Sequence, residues 1–251
     1  MEELFSIRNK IIIVTGASKG IGKLLTTEMW KRSAIIYGID KVFTNMVEKE
    51  NYFKIKCDIT NKKQFYKICD QIFRKHGRID VLINNAGVSY PQKNEEEYPY
   101  DKWEKTLRIN LTGSFFCSQA VIKFMKKQRF GSIINITSIN AELGFPNNPA
   151  YVASKGGLKM LTKSFAKDFG KYGIRVNSVG PGYILTDMTK KSYKDIKKRK
   201  ARERQIILGR WGTIDDIVGP CVFLASNASE YVTGIDLYVD GGWLANGLVD
   251  V

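Results

Sequence analysis

Ile11-Ile12-Ile13-Val14-Thr15-Gly16-Ala17-Ser18-Lys19-Gly20-Ile21-Gly22 is the stretch that decides the architecture. Its opening run of β-branched residues is too short for a helix and lacks polar alternation. It therefore reads as a strand buried on both faces. The glycines that follow, spaced G-x-x-x-G-x-G, form a turn, and a helix-like pattern then continues through Trp30. Glycines between a buried strand and a helix allow a tight reversal, close approach of backbone to a pyrophosphate, and close helix–sheet packing. The helix start adds N–H donors and partial positive charge for the phosphates.

Similar short apolar runs recur along the chain at Ala34–Ile39, Val81–Ile83, Ile133–Ile136 and Ile174–Val179, separated by helical stretches. Strand–helix–strand repetition implies right-handed crossovers and a parallel sheet covered by helices, an α/β class. No internal repeat, proline-rich linker or low-complexity tail interrupts the 251 residues, so a single domain over 1–251 is expected.

Composition narrows the chemistry. With 43% hydrophobic and 26% charged residues, the chain is neither wholly disordered nor collagen-like. Its net charge of +15 suggests either an anionic partner or a lysine-rich solvated surface. Cys57, Cys69, Cys117 and Cys221 form no C-x-x-C pair, which argues against a structural zinc site or a secreted disulfide framework; no metal is expected. The sole histidine, His76, precedes Gly77 in a basic stretch and reads as a solvated helix end. A Ser-His-Asp hydrolase or a His-ligated zinc enzyme would have to rest on that residue. Met1-Glu2-Glu3 lacks the basic start of a signal peptide, and no apolar run approaches the ~20 residues that span a bilayer. A soluble cytoplasmic protein without membrane contact is expected.

Asp40 closes the second strand, about 20 residues beyond the glycine turn, where a dinucleotide fingerprint places its acid. A carboxylate there accepts hydrogen bonds from the adenosine ribose and repels a 2'-phosphate. NAD is therefore favoured, while Lys19 and Lys41 keep NADP possible.

Ser138 and the run Tyr151-Val152-Ala153-Ser154-Lys155 carry the reactive groups. Lys155 lies one helical turn beyond Tyr151 on the same face. Its ammonium, aided by a bound nicotinamide cation, would bring the phenol toward working pH, so that Tyr151 exchanges a proton with an alcohol or carbonyl oxygen. Ser138, just past a strand end, can hold that oxygen.

These segments, in order with Asn84-Asn85-Ala86-Gly87, Asn110, Pro181-Gly182, Thr186 and Val239-Asp240-Gly241-Gly242, resemble the short-chain dehydrogenase/reductase family from Lys10 to Trp243. The resemblance implies a doubly wound Rossmann-type parallel sheet of about seven strands with helices on both faces. It implies cofactor contacts from Gly16, Ser18, Lys19, Gly20, Ile21 and Gly22 in the turn, from Asp58 and Ile59, and from Asn85, Ala86 and Gly87. Asp58 would meet the adenine amino group and Asn85 the adenosine half. Tyr151 and Lys155 would also contact cofactor, with Pro181, Gly182, Ile184 and Thr186 around the carboxamide. Asn110 would join Ser138, Tyr151 and Lys155 in catalysis by holding a water that links Lys155 to solvent. A homotetramer built through the helices around Asn110 and Tyr151 and the C-terminal strand is implied as well.

For the substrate, Ser138, Tyr151, Asn140 and Asn148 are the candidate ligands, with Glu142 as a further polar group. They suit a small polyhydroxylated molecule better than a steroid or fatty acyl chain. The general wording is most similar to sugar and sugar-acid dehydrogenases, such as those acting on gluconate, fucose or arabinose. A mobile helical lid is expected at about 187–208; nine bases against two acids between Lys190 and Arg204 give it a positive field. A 3-oxoacyl-[acyl-carrier-protein] reductase is the alternative, weakened because Tyr172 stands where such enzymes carry a second arginine beside Arg129. A non-catalytic nucleic-acid-binding Rossmann protein is the alternative of another class; the intact reactive set and the lack of aromatic-interleaved basic repeats oppose it.

Overall fold

The computed structural model describes residues 3–44, 46, 49–94 and 96–247. Met1 and Glu2, used above to argue against a signal peptide, lie outside them. The strands are β1 (Ile11–Thr15), β2 (Ile35–Asp40), β3 (Tyr52–Lys56), β4 (Val81–Asn84), β5 (Gly131–Ile136), β6 (Ile174–Pro181) and β7 (Asp236–Val239). All pair in parallel, in the order β3-β2-β1-β4-β5-β6-β7. Between them run α1 (Gly20–Lys31), α2 (Lys62–His76), α3 (Tyr100–Leu107), α4 (Ser114–Gln128), α5 (Pro149–Phe169), α6 (Lys190–Lys194), α7 (Ile196–Gln205) and α8 (Asp215–Ala225).

Strand alternation divides the core in two. Ile11 and Ile13 join Leu82, Ile133 and Val176 against α2, α4 and α5. Ile12 and Val14 join Ile36, Ile83 and Ile134 against α1 and α8. Because both faces are covered, the strands read as continuous apolar runs instead of alternating ones. The chain reverses its direction of winding between β1 and β4, so the loops at their C-terminal ends diverge and leave a crevice.

His76 does end α2, capped by Gly77 in the left-handed region, but its ring is not a solvated surface group. Nε2 lies 2.8 Å from the Tyr37 hydroxyl. Burial, together with Lys75 and Arg78, holds its pKa below the ordinary histidine value.

Among the described residues, no helix is long and apolar enough to cross a membrane, and no cluster of three or more His, Cys, Asp or Glu could hold a metal ion.

Candidate active site

A cavity of about 570 Å³ opens at the C-terminal ends of the central strands. Gly16, Lys19, Gly20 and Ile21 line it from the turn after β1, and Asp40 from the end of β2. Asp58 and Ile59 contribute after β3, Asn85, Ala86 and Gly87 after β4, and Pro181, Gly182, Ile184 and Thr186 from β6 onward. The reactive trio of Ser138, Tyr151 and Lys155 lines the same cavity.

The turn is held by short-range geometry. Gly16 and Gly20 take φ of +69° and +55°, conformations that favour glycine. Gly22 does not line the cavity; a Cβ there would lie 2.1 Å from the Gly16 carbonyl oxygen, so it is glycine for space. No side chain caps the start of α1 and no acid occupies its first turn, so its N–H groups and partial positive charge remain for an anion. These features fit a dinucleotide pyrophosphate.

At the adenosine end the carboxylates are organised by backbone and lysine. Ser18 is not a lining residue; its N–H donates to Asp40 Oδ2 at 3.0 Å, while the Lys41 N–H donates to Oδ1 at 2.7 Å. The Lys41 ammonium pairs with Asp58 Oδ2 at 2.9 Å, and Asp58 Oδ1 accepts from the N–H and hydroxyl of Thr60. Lys19, exposed on the rim, makes no ion pair among the described residues. Asn85 spends its side-chain amide hydrogens on the carbonyls of Thr15 and Gly16, at 2.9 and 3.1 Å. It thus staples the glycine turn to the end of β4, and only its oxygen is left to meet a ligand. Asn84, buried one residue earlier, bonds Ser118 and Asn135 between the strands.

At the reactive end, Lys155 is buried and its ammonium donates to the Ile136 carbonyl at 2.6 Å. Nζ lies 5.6 Å from the centroid of the Tyr151 ring. The Ser138 hydroxyl lies near enough to the Tyr151 phenol to act on its pKa, and it accepts the Asn140 N–H at 3.2 Å. Burial raises the Tyr151 pKa, against which the Ser138 hydroxyl acts, and burial brings Lys155 down to about 8. The protein groups by themselves raise the phenol, so the expected lowering by Lys155 depends on the help of a bound nicotinamide cation.

Asn110 sits behind this wall, in a π-helical turn from Arg108 to Gly113. Its Oδ1 accepts the Val88 N–H at 2.8 Å, and its Nδ2 donates to the Val88 carbonyl and the Ser154 hydroxyl. The side chain is committed to protein partners. Its carbonyl oxygen, which accepts from Ser114 at 2.9 Å, is what retains a lone pair for a water.

The structure does not bring Asn140 and Asn148 into the lining. Asn148 is buried and donates to the Ser89 hydroxyl at 2.7 Å, so Ser89 and its neighbour Tyr90 form the wall that Asn148 supports. Glu142 turns away to Lys159 and Tyr238. Ser89, Tyr90, Thr137, Met188 and Thr189 line the cavity without having been foreseen. No periodicity marks them, because their place follows from loop paths.

The basic segment is helical, as expected, in α6 and α7, but no side chain of either helix lines the cavity. Arg199 stacks over Tyr193, and Arg202 over Tyr183 and Trp211, while the remaining cations face solvent. Tyr183 also packs on Trp211 and Trp243. Asp240 bonds the N–H groups of Gly242 and Leu244 and so makes the turn on which this segment rests. Arg129 and Tyr172 meet, with the guanidinium 5.5 Å over the ring.

Residues 16–244 match the family model described as enoyl-(acyl carrier protein) reductase. The chain is 37% identical to a 2-dehydro-3-deoxy-D-gluconate 5-dehydrogenase of Bacillus subtilis (strain 168), over 98% of each chain. It is 36% identical to a 5-keto-D-gluconate 5-reductase of Escherichia coli (strain K12), over 97% of this chain and 99% of that one. A solved gluconate 5-dehydrogenase from Burkholderia cenocepacia J2315, in complex with NADP and tartrate, superposes with a TM-score of 0.89 at 31% identity; the match covers 97% of this chain and 98% of that one.

Proposed function

The chain belongs to the short-chain dehydrogenase/reductase family and is a nicotinamide-dependent oxidoreductase of CH–OH groups, and on that premise we propose that it interconverts a hydroxyl and a ketone on a small sugar acid of the gluconate type. One observation carries the reading. Ser138, Tyr151 and Lys155 converge in a cavity that the hydroxyl-bearing residues Ser89, Tyr90 and Thr189 also line. Full-length relatives named for gluconate-type acids support the substrate class.

In this reading Gly16, Gly20 and Ile21 cradle the pyrophosphate, Asp40 takes the adenosine ribose, and Asp58 with Ile59 borders the adenine. Lys155 and Tyr151 adjoin the nicotinamide ribose, while Pro181, Gly182, Ile184 and Thr186 adjoin the carboxamide. When bound, the dinucleotide supplies the two-electron redox step at the substrate carbon. The chain's own groups manage the oxygen. Ser138 holds it by hydrogen bond, and Tyr151 takes its proton in oxidation or returns one in reduction. The Lys155 ammonium favours the phenolate electrostatically. The Asn110 carbonyl, not its amide, offers the route for a water that reprotonates Lys155.

For the finer cofactor choice, NAD is placed first. A 2'-phosphate would meet the Asp40 charge, and Lys41 is already paired with Asp58. Lys19 on the rim is the group through which NADP can also be accepted, as the relative solved with NADP suggests. The sheet draws strands from both ends of the described chain, which supports one catalytic domain, with residues of about 187–208 as its lid. The partly exposed apolar groove lined by Leu111, Phe115, Met160 and Leu161 supports burial between subunits of a homotetramer. Four free, buried cysteines support a reducing cytoplasmic setting.

The test is a turnover screen in the reduced-nicotinamide absorbance band, with NAD or NADP, against gluconate-type acids, neutral aldoses and β-ketoacyl thioesters. Turnover best with the sugar acids is expected. Preference for the thioesters would replace this reading with the acyl-carrier one, and silence with all three would refute it.

A further inference from the structure

Lysines follow Tyr151 along α5 at every fourth residue, as Lys155, Lys159, Lys163 and Lys167, and the first two are those nearest the site. Lys155 belongs to the reactive trio. Lys159, one turn further, does not line the cavity, yet its side chain is only 14% exposed. An ammonium so enclosed needs a partner. It has one in Glu142, whose Oε1 accepts both the Lys159 ammonium and, at 2.8 Å, the Tyr238 hydroxyl from β7. Asp236, also on β7, faces the same ammonium at 3.9 Å.

Glu142 is four residues beyond Ser138, at the end of the tight turn Ile139–Ala141 that Ser138 begins. That turn is bonded internally: Ala141 N–H to the Ser138 carbonyl at 2.9 Å, and Glu142 N–H to the Ile139 carbonyl at 3.0 Å. Ser138 and Glu142 therefore move as one piece. The helix that carries Lys159 also carries Tyr151, two turns earlier. The result is a circuit: Ser138 to Glu142 through the turn, Glu142 to Lys159 through the ion pair, and Lys159 to Tyr151 through the rigid helix. Its open side is the cavity wall where Ser138 and Tyr151 face the same space.

We propose that Glu142 is a positioning residue, which through its bonds to Lys159 and Tyr238 ties the Ser138 turn to α5 and so sets the spacing between the Ser138 hydroxyl and the Tyr151 phenol. Isolated exposed ion pairs contribute little, but here the Lys159 end is enclosed, at 14% exposure against 37% for Glu142, and the Tyr238 hydroxyl makes a third participant. The reach from β7 also links the far edge of the sheet to the site. Without the tether the turn is held by its own short-range bonds only, and a misplacement of ~1 Å at a reacting centre costs up to about a hundredfold in rate.

The inference rests on the proposed roles of Ser138 and Tyr151, so its test has a part that needs no turnover. In Glu142→Ala, amide hydrogen exchange across residues 139–145 should quicken while α5 stays protected. In the same variant kcat should fall roughly tenfold to a hundredfold, with KM and the dinucleotide Kd nearly unchanged. Glu142→Gln, which keeps an acceptor for both partners, should recover most of the rate, and Lys159→Met should resemble Glu142→Ala. Unchanged exchange in the turn, an unchanged kcat, or a kcat loss matched by an equal loss of dinucleotide affinity would each overturn the proposal. If instead Tyr151→Phe kept its turnover, the catalytic reading would fail, and the exchange result would still decide whether the tether exists.

Discussion

The Lys155 ammonium donates to the Ile136 carbonyl at 2.6 Å, at the point where β5 ends and the Ser138 turn begins. The bond fixes the lysine between the strand that presents Ser138 and the helix that presents Tyr151. It also explains how a buried ammonium is tolerated: burial lowers its pKa to about 8, but one strong acceptor and the face of the Tyr151 ring remain.

A pH dependence follows. Below about pH 8 the pair holds both protons, and no base is available to the substrate hydroxyl. Above it the neutral Lys155 amine can take up the proton that Tyr151 passes on from the substrate oxygen. Oxidation kcat/KM should rise by about tenfold per pH unit and level off above about 8. In Lys155→Met the step should move upward, because burial raises the phenol. Stability has the same origin. The folded lysine pKa lies below its unfolded value of 10.5, so the unfolded chain binds more protons in that window and stability rises from about pH 8 toward 10.5. Denaturant titrations at several pH values check this, and the rise should vanish in Lys155→Met.

The glycine turn separates two kinds of glycine. A Cβ at Gly22 would press on the Gly16 oxygen at 2.1 Å and the Asn85 amide nitrogen at 2.4 Å. At Gly20 nothing lies within 4 Å, but φ is +55°. Gly20→Ala should cost about 1 kcal/mol through backbone conformation alone. Gly22→Ala should cost up to about 3 kcal/mol and loosen the dinucleotide as well, because the Asn85 staple must shift. Thermal melts with dinucleotide titrations read both, and equal effects would contradict the assignment.

Asp40→Ala should shift the NAD:NADP ratio of kcat/KM toward NADP by about tenfold or more. The charge removed is worth ~1–4 kcal/mol against a phosphate at contact distance. Lys19→Ala should move the ratio in the opposite direction. An unchanged ratio in Asp40→Ala would sink the cofactor preference.

Much of this was legible in the residues, for identifiable reasons. The strands show because β-branched runs buried on both faces look alike wherever they occur, as Ile11–Val14 and Ile133–Ile136 do. Tyr151 and Lys155 show because helical spacing brings them together locally. The side-chain amides of Asn110 and Asn85 are consumed by partners that only the folded loops supply, the Val88 carbonyl and Ser154 hydroxyl for one and the Thr15 and Gly16 carbonyls for the other. Asn148 supports Ser89 from 59 residues away, and Glu142 meets Tyr238 from 96 residues away. Such pairings have no local pattern to betray them.

The basic lid gives a prediction about charge at a distance. Its lysines face solvent and none lines the cavity, so they act through their summed field. Replacing Lys190, Lys191, Lys194, Lys197 and Lys198 by Gln should raise KM for a sugar acid roughly threefold to tenfold. A neutral aldose should be nearly unaffected, and added salt should mimic the substitution in the wild type. An equal change for acid and aldose would mean that the segment acts through its shape.

The central claim is that the Tyr151 phenol moves the proton of the substrate oxygen. Pre-steady-state and steady-state turnover of Tyr151→Phe, measured with dinucleotide affinity in the same preparation, tests it most directly. The account predicts a kcat lower by about 10²- to 10⁴-fold with dinucleotide Kd essentially unchanged. Turnover within a few-fold of the wild type would contradict it.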